Sequence, residues 1–401
     1  MSTTAQQMRA WRGPAILTFG FRPFFLGAAV WAAIAMVLWL MMLTGLGDLP
    51  IRLDPVAWHS HEFLYGYVIA VIAGFLMTAV PNWTGRLPIV GWPLLVIVLL
   101  WLAGRVAVGI SDWLPPLVVA LVDLSMPVVL TLVIGREIVT GKNWRNLMPL
   151  AMLAVFTLGN AVFHLEAAQG AAAAQGYGLR IGLGAAIALI GLIGGRIVPS
   201  FTRNWLVRRE PGRLPIPPMQ RFDKLALAAL VAAVLLWVAL PEARLTAVAL
   251  IVAGLMHAVR LTRWAGERTL AEPLLWILHL AYAFVPLGAL ALGAEILWPG
   301  VFGSAAAQHL WMAGALGLMT LAVMTRATLG HTGQTLTAGP GTVAIYVLLL
   351  ISVLARLAAG IWIGAADMLH HISGTGWIGA FGGFALIYGP LVLRHRVAKK
   401  A

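Results

Sequence analysis

The chain has 401 residues, 61% of them hydrophobic and 10% charged, with a mean hydropathy of +0.91. A globular core could not hide that much apolar surface, so the chain needs lipid as its solvent, which excludes a soluble enzyme or a sizeable soluble domain. A formal charge of +13 raises nucleic acid as a partner, while the absence of cysteine excludes disulfides, Cys-ligated iron–sulfur clusters and thioether-attached haem.

The first ten residues, MSTTAQQMRA, carry neither an apolar stretch nor a small-residue cleavage site, so the first apolar run reads as a retained helix and not a signal peptide. Runs long enough to cross the hydrocarbon at about 1.5 Å per residue predict helices at roughly 23–45, 59–80, 91–111, 114–139, 146–168 and 178–199. A Pro- and Arg-rich cytoplasmic loop at 200–221 follows, and then helices at roughly 222–240, 243–263, 271–298, 304–328, 340–363 and 374–394. The fold class is therefore all-α: a polytopic membrane helix bundle of about twelve spans, with residues 1–401 forming a single integral membrane domain. No motif repeats across the split into six plus six.

With a cytoplasmic N-terminus, the inner connections collect Arg9, Arg12, Arg22, Arg86, Arg136, Lys142 and Arg145, seven basic residues from Arg196 to Lys224, and Arg260, Arg263, Arg268, Arg326, Arg394, Arg396, Lys399 and Lys400. The outer side and outer helix halves keep Arg52, Arg105, Arg180, Arg244 and Arg356, five of the 27 Lys and Arg. This is the positive-inside asymmetry, and it places both termini in the cytoplasm. The basic excess is topological, so nucleic acid is not a partner.

Ionisable groups within apolar helices cost several kcal/mol unless paired or functional. The ten histidines sort by depth. At the outer end lie His59 and His61 in WHSHEFLYGY, His164 in NAVFHLE and His309 in AAQHLWMAGALG, with His370 and His371 in the last outer connection. On the inner side lie His257, His279, His331 and His395. A b-type haem in a bundle needs two imidazoles from different helices at one depth, each held by a further hydrogen bond. His59 and His309 meet the depth condition, which makes them the candidate axial pair. His59 and His61 lie about 200° apart around a helix, so they cannot face one partner. Glu62 falls on the His59 face at i+3 and Tyr65 on the His61 face at i+4.

Haem propionates near the outer face would take cationic partners, for which Arg105 and Arg356 are the candidates. The competing reading has these arginines snorkelling, or paired with Asp123 or Glu166. FGFRPFF (19–25), GGRIVPSFTRNWL (194–206) and MTRATLGHTGQTL (324–336) read as anchored inner connections, with an inner-side site for a substrate or a quinone head group as the alternative. GLIGG and GALG read as close helix packing and not as phosphate loops, because no strand precedes either. Tryptophans such as Trp83, Trp144, Trp205 and Trp264 read as an interfacial belt.

FRPFF (21–25), WHSHEFLYGY (58–67), GFLMTAVPNWTGR (74–86), GGRIVPSFTRNW (194–205), LHLAYAFVPLG (278–288) and MTRATLGHTGQTL together resemble the blocks of the NnrS family of bacterial membrane proteins. The resemblance spans nearly the whole chain. It implies a twelve-helix protein of the bacterial inner membrane containing haem b and copper, associated with denitrification and with protection from nitric oxide and nitrosative stress. It does not fix the chemistry: reduction, oxidation, scavenging and sensing of nitric oxide all fit it, with a quinol or another donor supplying electrons. The histidines on helices two and ten also resemble the low-spin haem site of haem–copper oxidase subunit I. That superfamily places its second metal site on helices six and seven, which here hold no histidine, so its binuclear centre is not carried over. His61, His164 and His279 are then the nearest candidates for copper. The alternative is a twelve-helix secondary transporter, argued from the six-plus-six arrangement around a basic loop.

Overall fold

The structure, a computed structural model, describes residues 11–85, 88–209 and 211–395. Of the basic residues counted above, Arg9, Arg86, Arg396, Lys399 and Lys400 lie outside the described residues, as do the first ten positions. The described residues are mostly helical, with short turns and loops between the helices, and contain no strand. Twelve helices are long and apolar enough to cross a membrane: α1 Phe21–Leu43, α2 Pro55–Thr84, α3 Trp92–Gly109, α4 Pro116–Thr140, α5 Trp144–Ala168 and α6 Tyr177–Leu206, followed by α7 Arg221–Ala239, α8 Arg244–Thr262, α9 Pro273–Leu297, α10 Ser304–Thr332, α11 Pro340–Ile361 and α12 Ile363–Leu393. The protein is a multi-pass membrane protein.

Helix starts follow local chemistry. Asp54 caps α2, its Oδ1 accepting from the amides of Val56 and Ala57 at 3.0 Å, while Pro55 occupies a first-turn position that needs no amide donor. Gln220 and Asp223 form a reciprocal capping box at the start of α7. Gly85 ends α2 in the left-handed region at φ 68°, where a side chain would be strained. Two helices extend well past the hydropathy run. α6 continues to Leu206 through the polar GRIVPSFTRNWL, and α12 begins at Ile363, so His370 and His371 are helical and do not lie in a connection.

Three helices depart from α geometry, and they recur at every fourth position. A π-helical segment interrupts α2 at Glu62–Val68, α6 at Ile190–Gly194 and α10 at Leu310–Leu318. The same three are long, at 30, 30 and 29 residues, and are among the most sheltered, with 83%, 78% and 78% of the apolar window buried. A π turn holds an extra residue and tends to persist at functional sites. The regularity thus runs in fours.

By internal packing the chain forms two compact units. One comprises residues 1–182, 327–335 and 381–401, and the other residues 183–326 and 336–380. Within the first unit, an apolar cluster of Ala35, Met42, Trp58, Val108 and Val119, edged by Trp31, Leu38 and Trp39, packs around the start of α2. At its opposite end Arg22 donates from Nη1 to the carbonyls of Val392 and Arg394, both at 2.7 Å, and His331 stacks on Phe21 with ring centroids 5.3 Å apart. These contacts absorb the FRPFF motif into structure.

The second unit carries a buried network of its own. Arg260 donates to Asp223 Oδ1 at 3.0 Å, to the Gly191 carbonyl at 2.7 Å and to the Tyr282 hydroxyl at 2.8 Å. His257 Nε2 lies 3.1 Å from the Ala226 carbonyl, which can only accept, so Nε2 carries the proton and Nδ1 accepts from the Tyr282 hydroxyl at 2.8 Å. Trp264, expected in the interfacial belt, is instead buried against Tyr282 at a centroid distance of 4.5 Å. The Arg260 charge draws it inward, with the guanidinium 5.5 Å from the indole.

Candidate metal centre

The first unit holds a cluster of six polar side chains built from four helices, five of them buried and His164 partly so. His61 and Glu62 come from α2, Arg105 from α3, Asp123 from α4, and Asn160 and His164 from α5. Asn160 and His164 are four residues apart and share a helical face, so both reach one carboxylate oxygen: Asn160 Nδ2 donates to Asp123 Oδ2 at 2.7 Å, and His164 Nε2 lies 3.0 Å from it. His61 Nε2 approaches the same oxygen at 3.3 Å and Asn160 Oδ1 at 3.1 Å. Glu62 Oε1 sits 3.1 Å from His61 Nδ1, while Glu62 Oε2 accepts from Arg105 Nη1 at 2.5 Å and from the Trp31 indole at 2.7 Å. Arg105 Nη2 donates to Asp123 Oδ1.

Two glycines make this closeness possible. A Cβ on Gly66 would lie 2.5 Å from the Glu62 carboxylate and 2.6 Å from the Arg105 guanidinium, and one on Gly104 would lie 2.7 Å from Asp123 Oδ1. Neither position has room for a methyl group.

The donor set constrains the charge. Arg105 brings one positive charge against two carboxylates, leaving the buried cluster one positive charge short of neutrality. His61 faces acceptors on both ring nitrogens, Glu62 on one side and Asn160 Oδ1 with Asp123 on the other. Both contacts are satisfied only if each nitrogen carries a proton, or if a cation replaces the proton at Nε2. The site is therefore a slot for one positive charge. His61 Nε2, His164 Nε2 and Asp123 Oδ2 are the atoms that converge on it, one from each residue, all within 4.8 Å of one another.

A family model described as NnrS protein matches residues 15–396. The chain belongs to the NnrS family. Comparison with curated proteins gives no match.

The NnrS chain places its expected site residues in different surroundings. His61 and His164 meet at Asp123, with ring centroids 5.0 Å apart. His279 lies in the second unit, buried with Nε2 2.8 Å from the Thr202 hydroxyl, and its Nδ1 has no hydrogen-bond partner among the described residues. His59 turns away from the cluster and stacks on Trp39 at 4.6 Å. His309 Nδ1 donates to the Ala305 carbonyl at 2.6 Å, a bond that places the proton of the neutral ring on Nδ1. Arg105 is engaged by Glu62 and Asp123, and Arg356 is half-buried with no hydrogen bond to a described residue.

Asn160 escaped the sequence reading, although its i, i+4 relation to His164 marks one helical face. Glu62 was expected on the His59 side, and its carboxylate lies 3.1 Å from His61 Nδ1.

The residues fit a metal ion in a second respect. A metal-ligating imidazole ordinarily donates its other N–H to a carboxylate, which holds the ring and raises its basicity. Glu62 stands in that place on His61 Nδ1. Imidazole nitrogens suit copper, and the charge shortfall suits a monovalent ion better than a divalent one.

Proposed function

We propose that this protein handles nitric oxide at a copper ion held by His61, Asp123 and His164, and so protects the cell against nitrosative stress during denitrification. The observation that carries the reading is the convergence of those three donor atoms within 4.8 Å around a buried site that lacks one positive charge. Bound copper would supply a redox-active centre with affinity for nitric oxide. The chain's own residues do the rest. Glu62 orients His61, Asn160 holds Asp123 Oδ2, and Arg105 neutralises one carboxylate charge while fixing the rotamers of both acids. Electrons would arrive from a quinol or another donor in the bacterial inner membrane. His59 and His309 are each proposed as a ligand of haem b, and Arg356 as a propionate partner, whereas Arg105 is held by Glu62 and Asp123. The tautomer that Ala305 imposes on His309 suits that role.

Metal analysis joined to an optical spectrum of the purified protein tests both parts. The expected outcome is that His61→Ala and Asp123→Asn lose copper, while His59→Ala and His309→Ala weaken a reduced b-type spectrum and keep their copper. A purified wild-type protein containing neither haem nor copper would overturn the reading.

A further inference from the structure

The buried network of the second unit takes no part in the copper site, and at its centre a phenol meets a base. The Tyr282 hydroxyl has two polar partners, Arg260 Nη1 at 2.8 Å and His257 Nδ1 at 2.8 Å. A guanidinium only donates and is never deprotonated in a protein, so Arg260 holds the phenolic oxygen and cannot take its proton. His257 Nε2 already gives its hydrogen to the Ala226 carbonyl at 3.1 Å, which leaves Nδ1 with a lone pair for the hydroxyl. The phenolic proton therefore faces a neutral imidazole, at the distance from which a base can take it.

Two other buried tyrosines bond differently. Tyr65 donates to the Gly178 carbonyl at 2.7 Å and Tyr346 shares a bond with the Thr325 hydroxyl at 2.5 Å, and neither partner is a base. The surroundings of Tyr282 also seal the pair. Tyr282, His257 and Arg260 are fully buried, and Trp264 covers the phenol with ring centroids 4.5 Å apart. Gly195 leaves the guanidinium its seat, since a Cβ there would strike it. Asp223 Oδ1 offsets Arg260 at 3.0 Å, so a positive charge formed on His257 would stand beside an ion pair and not beside a lone cation.

These conditions suit one-electron chemistry. A phenol that loses an electron becomes a strong acid, and it is oxidised readily only where a base takes the proton in the same event. We infer that Tyr282 and His257 form a reversible redox couple that quenches lipid-soluble one-electron oxidants of the nitrogen-oxide class, such as nitrogen dioxide. Tyr282 gives one electron to nitrogen dioxide, which leaves as nitrite, while the O–H bond breaks and its proton joins His257 Nδ1. The products are a neutral phenoxyl radical, an imidazolium and nitrite. One electron from a membrane-soluble reductant restores the phenol, the proton returning from Nδ1 to the oxygen. The choice of oxidant rests on the nitrosative-stress reading given above, whereas the couple itself does not.

Electron paramagnetic resonance on the purified, copper-free full chain tests this, with a photogenerated ruthenium(III) complex and nitrogen dioxide as the two oxidants. Both should give a neutral tyrosyl radical, and in protein labelled with nitrogen-15 histidine the radical should couple to a histidine nitrogen through a hydrogen-bonded proton. Tyr282→Phe should remove the signal and Tyr65→Phe should keep it. His257→Phe should slow its formation by about 100-fold. With nitrogen dioxide, one nitrite should appear per radical. No tyrosyl radical, a radical without histidine coupling, or a rate that His257→Phe leaves unchanged would overturn the inference. A Tyr282 radical formed by ruthenium and not by nitrogen dioxide would overturn the assignment of the oxidant. Because the protein is free of copper, none of these failures touches the copper reading.

Discussion

Arg105 is the residue on which the cluster depends, because it alone offsets the charges of Glu62 and Asp123. Removing one partner of a buried ion pair leaves an uncompensated charge and costs about 3–5 kcal/mol, whereas removing both is far milder. Arg105→Met should therefore lower the thermal unfolding temperature in detergent sharply, and Arg105→Met combined with Asp123→Asn should recover part of the loss. Asn160 acts one step further out. Asn160→Ala should weaken copper affinity by about 10–100-fold in a competition titration while leaving one copper per chain at saturation. Much of this residue-level chemistry was legible in the sequence, since isolated charges and histidines in apolar helices are conspicuous. His61, His164, Arg105 and Asp123 were all singled out that way. The pairing of Arg105 with Asp123 was open to the sequence as the competing reading, but the convergence of His61 and His164 on Asp123 was not, because these residues lie on different helices and nothing in a one-dimensional pattern sets which faces meet.

The helices themselves were readable because each needs a long apolar run, and most ends fall within a few residues of expectation. The misjudged ends are those where a helix runs past its apolar stretch. The amphipathic tail of α6 and the start of α12 are instances. The π segments were invisible for a different reason: they leave no hydropathy signature and change only the register. At α2 the wide turn begins at Glu62, directly after His61, and sets how the His59–His61 end of the helix is rotated against the rest. Deleting Phe63 removes a residue from that wide turn and rotates His61 by about 100° against the segment below it. The variant should still insert in the membrane, as judged by extraction and a monodisperse elution profile, and should retain no copper. Gly66→Ala should have a related effect through steric conflict with Glu62 and Arg105, lowering both yield and copper content.

At the scale of the whole molecule, charge asymmetry, and not a repeat, defines the topology. A chain without cysteine can be tested for it directly. Single cysteines placed at Asp48, between α1 and α2, should react with a membrane-impermeant maleimide in intact spheroplasts, and those placed at Lys142, between α4 and α5, should react only after permeabilisation. The opposite pattern would reverse the orientation. The recurrence of π-interrupted, sheltered helices at α2, α6 and α10 gives the described residues a regularity in steps of four helices. Among the described residues, metal-ligating side chains converge at His61, Asp123 and His164. X-ray absorption at the copper edge of the purified protein tests that claim most directly. The account predicts one copper per chain, with two imidazole nitrogens and one carboxylate oxygen in its coordination shell, and the loss of one imidazole signal in His164→Ala. A copper shell unchanged in both His61→Ala and His164→Ala would contradict it.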